Sequence, residues 1–93
     1  MAKLTGNIQI KTNPGSEGLA AHFEVMFVPY AGRLNTKSAT ASNHDELVSL
    51  LTELKFSEDD AAKWAGRARS QGVVIISSVE RSDALLKEQG LLA

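Results

Sequence analysis

Three residues suited to cap a helix, Asn43, Ser57 and Ser82, and two glycines placed to end one, Gly72 and Gly90, cut the second half of this chain into helix, helix, strand and helix. Asn43 is followed three residues later by Glu46, the spacing at which each side chain can satisfy a backbone amide at the helix start. Leu47, Leu50, Leu51 and Leu54 then recur at i, i+3, i+4 and i+7, the apolar stripe of an amphipathic helix ending near Lys55. Ser57 caps a second helix at once. Glu58, Asp59 and Asp60 fill its first turn and Arg67 and Arg69 lie near its end, both favoured by the helix dipole. Phe56, just before the cap, is placed to staple onto Ala61.

Ala61, Trp64, Ala65 and Ala68 form the stripe that this second helix should bury. Three alanines allow a close backbone approach, and Trp64 is expected to supply most of the burial. Gly72 predicts a Schellman ending that brings Val73 against Ala68. Val73-Val74-Ile75-Ile76 is apolar on both faces, which predicts a strand with cover on both sides. Ser77 and Ser78 read as its fading end. Ser82 caps a last short helix holding Leu85 and Leu86, and Gly90 closes it so that Leu91 can reach Leu86.

The first half carries period-two alternation instead. In Leu4 to Thr12, Ile8, Ile10 and Thr12 point one way and Asn7, Gln9 and Lys11 the other. Asn13-Pro14-Gly15 predicts a turn, with proline presetting φ and glycine supplying the positive φ that follows. A second strand runs from Leu19 to Tyr30, with Phe23, Val25 and Phe27 as its core face and His22, Glu24 and Met26 opposite; Pro29 should end its pairing. From Ala31 to Ser42 the residues turn small and polar without periodicity, and this stretch reads as a loop.

The fold expected is α+β: a small three-stranded sheet, made of an N-terminal antiparallel hairpin plus one later strand, packed with three helices in the order β-β-α-α-β-α. Residues 1–93 are the size of one domain. A right-handed crossover through the helix pair places the third strand parallel to the second, with the first between them or at an edge. The helices should cover the Phe23, Val25 and Phe27 face.

Composition narrows the function by exclusion. Hydrophobic residues make up 43% and charged residues 23%, a globular balance, and no apolar run approaches the roughly 20 residues a membrane helix needs. No apolar segment follows Lys3, so no secretory signal is expected. The chain has no cysteine, which excludes a disulfide framework, thiolate metal ligands and a cysteine nucleophile, and suits a cytoplasmic location. A formal net charge of −1 provides no field to attract nucleic acid or an anionic membrane.

Gly32-Arg33-Leu34-Asn35-Thr36-Lys37-Ser38 has glycine and Lys-Ser near phosphate-loop spacing, but Thr36 stands where the second glycine is required. It reads as a polar loop, with Arg33 and Lys37 as candidate anion contacts. His22 and His44 read as a half-exposed strand residue and a helix-start residue, and no serine sits in a nucleophile turn. The adjoining helices are an unsuitable DNA reader, because the first turn of the second would bring Glu58, Asp59 and Asp60 to the phosphates. No catalytic constellation, metal site or cofactor site is legible.

The candidate working surface is the wet face of the hairpin: Gln9, Lys11, His22, Glu24, Met26 and Val28. A sheet with one uncovered face can bind a partner by edge pairing or face packing. The expectation is a protein-interaction module or a homo-oligomeric subunit. The alternative is a domain binding a small anionic ligand or nucleic acid through Lys11, Arg33, Lys37, Arg67 and Arg69.

Overall fold

The computed structural model describes residues 3–14, 21–31 and 36–93. Along them run β1 (Lys3–Pro14), β2 (Ala21–Pro29), β3 (Ser38–Ala41), α1 (His44–Glu53), α2 (Glu58–Gln71), β4 (Val73–Ser82) and α3 (Asp83–Glu88). The fold is α+β, with an antiparallel sheet and three helices. The sheet has four strands rather than three, in the order β3-β2-β1-β4. The extra strand, β3, lies inside the stretch expected to be a loop; it pairs Ser38–Ala41 with Met26–Phe23. β4 runs in the direction of β2 with β1 between them.

β1 also runs further than its apolar pattern, to Pro14, which pairs with Ala21. Proline is tolerated there because it ends the strand. The remainder of the expected turn, with the start of the second strand at Leu19, lies outside the described residues.

One core joins the sheet to the helices. Ile8, Ile10, Phe23, Val25, Phe27, Val74, Ile76 and Val79 from the strands pack with the buried leucines and alanines of the helices. Ala61, Ala65 and Ala68 are fully buried, but Trp64 is only half-buried, so the alanines and not the indole make the close contact. Lys63 Nζ lies 4.7 Å and Arg67 Cζ 5.1 Å from the Trp64 ring centroid, and these cations cover the ring's outer side.

The caps form where their chemistry places them. Asn43 Oδ1 accepts from Glu46 N–H at 2.9 Å, Ser57 Oγ from Asp60 N–H at 3.1 Å, and Ser82 Oγ from Leu85 N–H at 3.2 Å. Glu46 reaches back one residue further than a capping box requires, to the N–H of Ser42. At the other ends, α3 closes with a full Schellman pair, Leu91 N–H to Leu86 C=O and Gly90 N–H to Lys87 C=O. Gly72 makes the simpler ending, a single bond from its N–H to Ala68 C=O, and Val73 stays exposed instead of meeting Ala68.

α1 ends in the same Schellman geometry, but the left-handed position is held by Lys55 at φ 73°. An L side chain there costs roughly 1–2 kcal/mol, while glycine loses about 0.5–1 kcal/mol more on ordering. Lys55→Gly is therefore expected to stabilise the domain by about 0.5 kcal/mol or more, read as a higher urea midpoint at unchanged slope.

Two long-range ties set the position of β4. Thr12 N–H donates to Gly72 C=O at 2.7 Å and Thr12 Oγ1 to Ala68 C=O at 2.6 Å, fastening the end of β1 to the end of α2. At the far end Arg81 reaches inward: Nε donates to Leu54 C=O at the end of α1, and the guanidinium lies 4.8 Å from the Phe56 centroid. Partial burial lowers its pKa, although the group remains a cation that suits a helix C-terminus.

Candidate functional site

The helices pack on the Phe23, Val25 and Phe27 side of the sheet, and among the described residues no element covers the opposite face. Strand pairing arranges its side chains in rows. Ser38, Met26, Gln9 and Ile75 are successive neighbours across all four strands, and Thr40, Glu24, Lys11 and Val73 form the adjacent row. Lys11 thus has Glu24 on one side and an aliphatic residue on the other. Among the residues named from the sequence, Gln9, Glu24, Met26 and Val28 are half-buried, while Lys11 and His22 are exposed. All six stand on β1 and β2.

The chain's contribution from β4 to this face lies outside that set. Val73 is 51% exposed and Ile75 53%, against the expectation that both sides of this strand would be covered. The physical reason is strand order: β4 is at the end of the sheet and the helices cover only one of its faces, where Val74 and Ile76 are buried. Leaving half of each side chain in water forgoes on the order of 1 kcal/mol apiece.

Tyr30 completes the surface. At 56% exposure it is the third large apolar side chain left in solvent among the described residues, and it stands on this same face. Its hydroxyl accepts from Ser78 N–H at 2.8 Å and donates to Asn7 Oδ1 at 2.8 Å. The register explains why an amide is available. Gly6 faces Val79 and Ile8 faces Ile76, so two residues of β4, Ser77 and Ser78, oppose Asn7 in a bulge, with Ser78 at φ 58°. β4 therefore continues through the bulge to Ser82 rather than fading at the serines. Hydrogen bonding from Ser78, its side chain first and its amide second, holds the Tyr30 phenol below its usual pKa.

The candidate anion contacts are not brought together. Arg33 lies outside the described residues, Lys37 is exposed just before β3, Lys11 is on the open face, and Arg67 and Arg69 are on α2, in the helix layer. His22 is exposed on β2; His44 opens α1, with a buried Nδ1 that has no hydrogen-bond partner among the described residues. No group of three or more His, Asp or Glu side chains among the described residues could hold a metal ion. An open depression bounded by Val48, Ser49, Thr52, Glu53 and Glu58 lies on the helix side, where the Thr52 hydroxyl donates to Val48 C=O. No helix among the described residues is long and apolar enough to cross a membrane.

The fold and this surface together define a one-sided α+β sheet domain whose outer face mixes polar side chains with exposed Val73, Ile75 and Tyr30. Comparison with protein-family models, curated proteins and solved structures returns no match.

Proposed function

We propose that this chain is a protein-interaction module or the subunit of a homo-oligomer, and that its working surface is the open sheet face. The observation that carries the reading is the position of Tyr30, Val73 and Ile75: the three large apolar side chains exposed among the described residues share that face with Met26 and Val28. Single exposed apolar residues are ordinary, but several on one face, here in two pairs flanking Asn7, Gln9 and Lys11 of β1, support an interaction surface. Binding of an anionic ligand or nucleic acid draws no comparable support, because Lys11, Lys37, Arg67 and Arg69 are dispersed over the sheet face, the approach to β3 and α2.

Met26→Lys tests the proposal. Met26 is half-buried at the centre of the face and absent from the core, so the variant should keep its stability within about 0.5 kcal/mol. A lysine desolvated in an interface should weaken association at least about tenfold, measured by titration calorimetry or sedimentation. A protein partner whose amide-exchange footprint lies on α1 and α2, and whose affinity Met26→Lys leaves untouched, would refute the assignment.

A further inference from the structure

Going beyond the open-face reading, we infer that a second copy of this chain joins it antiparallel along the outer edge of β4, where the exposed Val73 and Ile75 meet the free edge and Met26 stays outside the contact. The direction of the backbone groups comes first. Because Thr12 N–H bonds Gly72 C=O, the pairs that exchange hydrogen bonds between β1 and β4 are Ile10 with Val74 and Ile8 with Ile76. Val73 and Ile75 therefore direct their N–H and C=O groups away from β1, toward an edge that no strand occupies among the described residues. The same two residues carry the exposed apolar side chains on that strand. Hydrogen-bonding capacity and apolar surface coincide.

Ahead of the bulge at Ser77 and Ser78, itself one device that blunts an edge, this strand carries no other protection. From Val73 to Val79 there is no charge and no proline, whereas edge strands are commonly protected by lysine, proline or inward charges. The opposite edge is different: β3 is four residues of serine, threonine and alanine, and Lys37 immediately precedes it. An uncharged segment meeting its own copy brings no like charges together.

A copy fits in one favourable register. Outward groups at Val73 and Ile75 must meet outward groups, so Val73 pairs with Ile75 of the second copy and Ile75 with its Val73, on a two-fold axis at Val74. Four exposed aliphatic side chains then become neighbours on the continuous open face. Setting Ile75 against its own counterpart would instead place Val73 against Ser77. The bulge at Ser77 and Ser78 bends the strand and confines flat pairing to Val73–Ile76. Such an edge is about 13 Å long and the sheet layer about 10 Å thick, a footprint well below the roughly 800 Å² per partner of a standard interface. The dimer is accordingly weak and forms at high protein concentration.

Sedimentation velocity of the full chain over a concentration series tests this. The expected result is a weight-average mass rising toward that of two chains. Ile75→Pro removes an outward N–H without removing a bond to β1 and should weaken association at least tenfold; Ile75→Lys should do the same by charge, with circular dichroism confirming that both remain folded. Thr40→Pro, the matched change on the β3 edge, should leave association unchanged. Three results would overturn the inference. A chain that stays monomeric at every concentration excludes the second copy, yet leaves the open face available to another protein, which Met26→Lys tests. Association lost in Thr40→Pro but kept in Ile75→Pro assigns it to the other edge. Association lost in Met26→Lys but kept in both Ile75 variants means face-to-face packing.

Discussion

Gly6→Ala should destabilise the domain by on the order of 3 kcal/mol or more, a large share of the roughly 5–15 kcal/mol that holds a domain together. A Cβ at this position would stand 2.2 Å from the Val28 carbonyl oxygen and 2.8 Å from both Val28 C and Pro29 Cα. All three atoms are backbone, so no rotamer change relieves the overlap. Gly6 is also held from both sides, opposite Pro29 on β2 and Val79 on β4, immediately beside the bulge. To move it, β1 must break one of two ladders. The check is urea denaturation, with Gly66→Ala as a matched control in the middle of α2, where an added Cβ meets nothing within 4 Å. That control should gain up to about 1 kcal/mol from helix propensity. Opposite signs are therefore expected from the same chemical change, and a neutral Gly6→Ala would mean that the close approach of β1 and β2 is absent in solution.

Sequence revealed what is local and missed what depends on strand order. Asn43, Ser57 and Ser82 could be read as caps because a cap is complete within four residues, and each makes its bond. β3 could not be read: Ser38-Ala39-Thr40-Ala41 has no large apolar residue, and only pairing with β2 makes it a strand. Val73 and Ile75 show the same limit at the surface. A run of four aliphatics has the hydropathy of a strand covered on both sides, and nothing local states that β4 will be at the end of the sheet. Ser77 and Ser78 suggested a strand ending because their bulge is secured by a hydroxyl from Tyr30, 48 residues away from Ser78. The half of the open face built from β1 and β2 was legible through alternation. The half on β4, on which the dimer inference rests, was not.

Leu91→Ala tests whether the end of the described chain is a structural clasp. Leu91 is fully buried and Leu92 nearly so, in the same core as Phe23 and Leu51. The Schellman turn at Gly90 directs the chain back toward the sheet, Leu91 C=O accepts from Lys37 N–H at 2.9 Å, and Leu92 forms a β-bridge with Thr36. α3 leaves β4 at one end of the strand order, and this tail reaches the residues that lead into β3 at the other. Truncating a buried leucine typically costs about 2–5 kcal/mol. The lower part of that range is expected, because a segment tied to residues 36–37 by one hydrogen bond and one β-bridge can detach before the whole domain unfolds. Amide exchange separates the two routes: Leu91→Ala should strip protection from the Lys37 N–H well before it affects the amides that β1 and β2 share. If Lys37 stays protected and stability changes by less than about 0.5 kcal/mol, the clasp is not formed in solution. If Lys37 opens early, β3 is held in the sheet from both sides, by β2 along its length and by this tail at its start, which explains how four small residues persist as a strand.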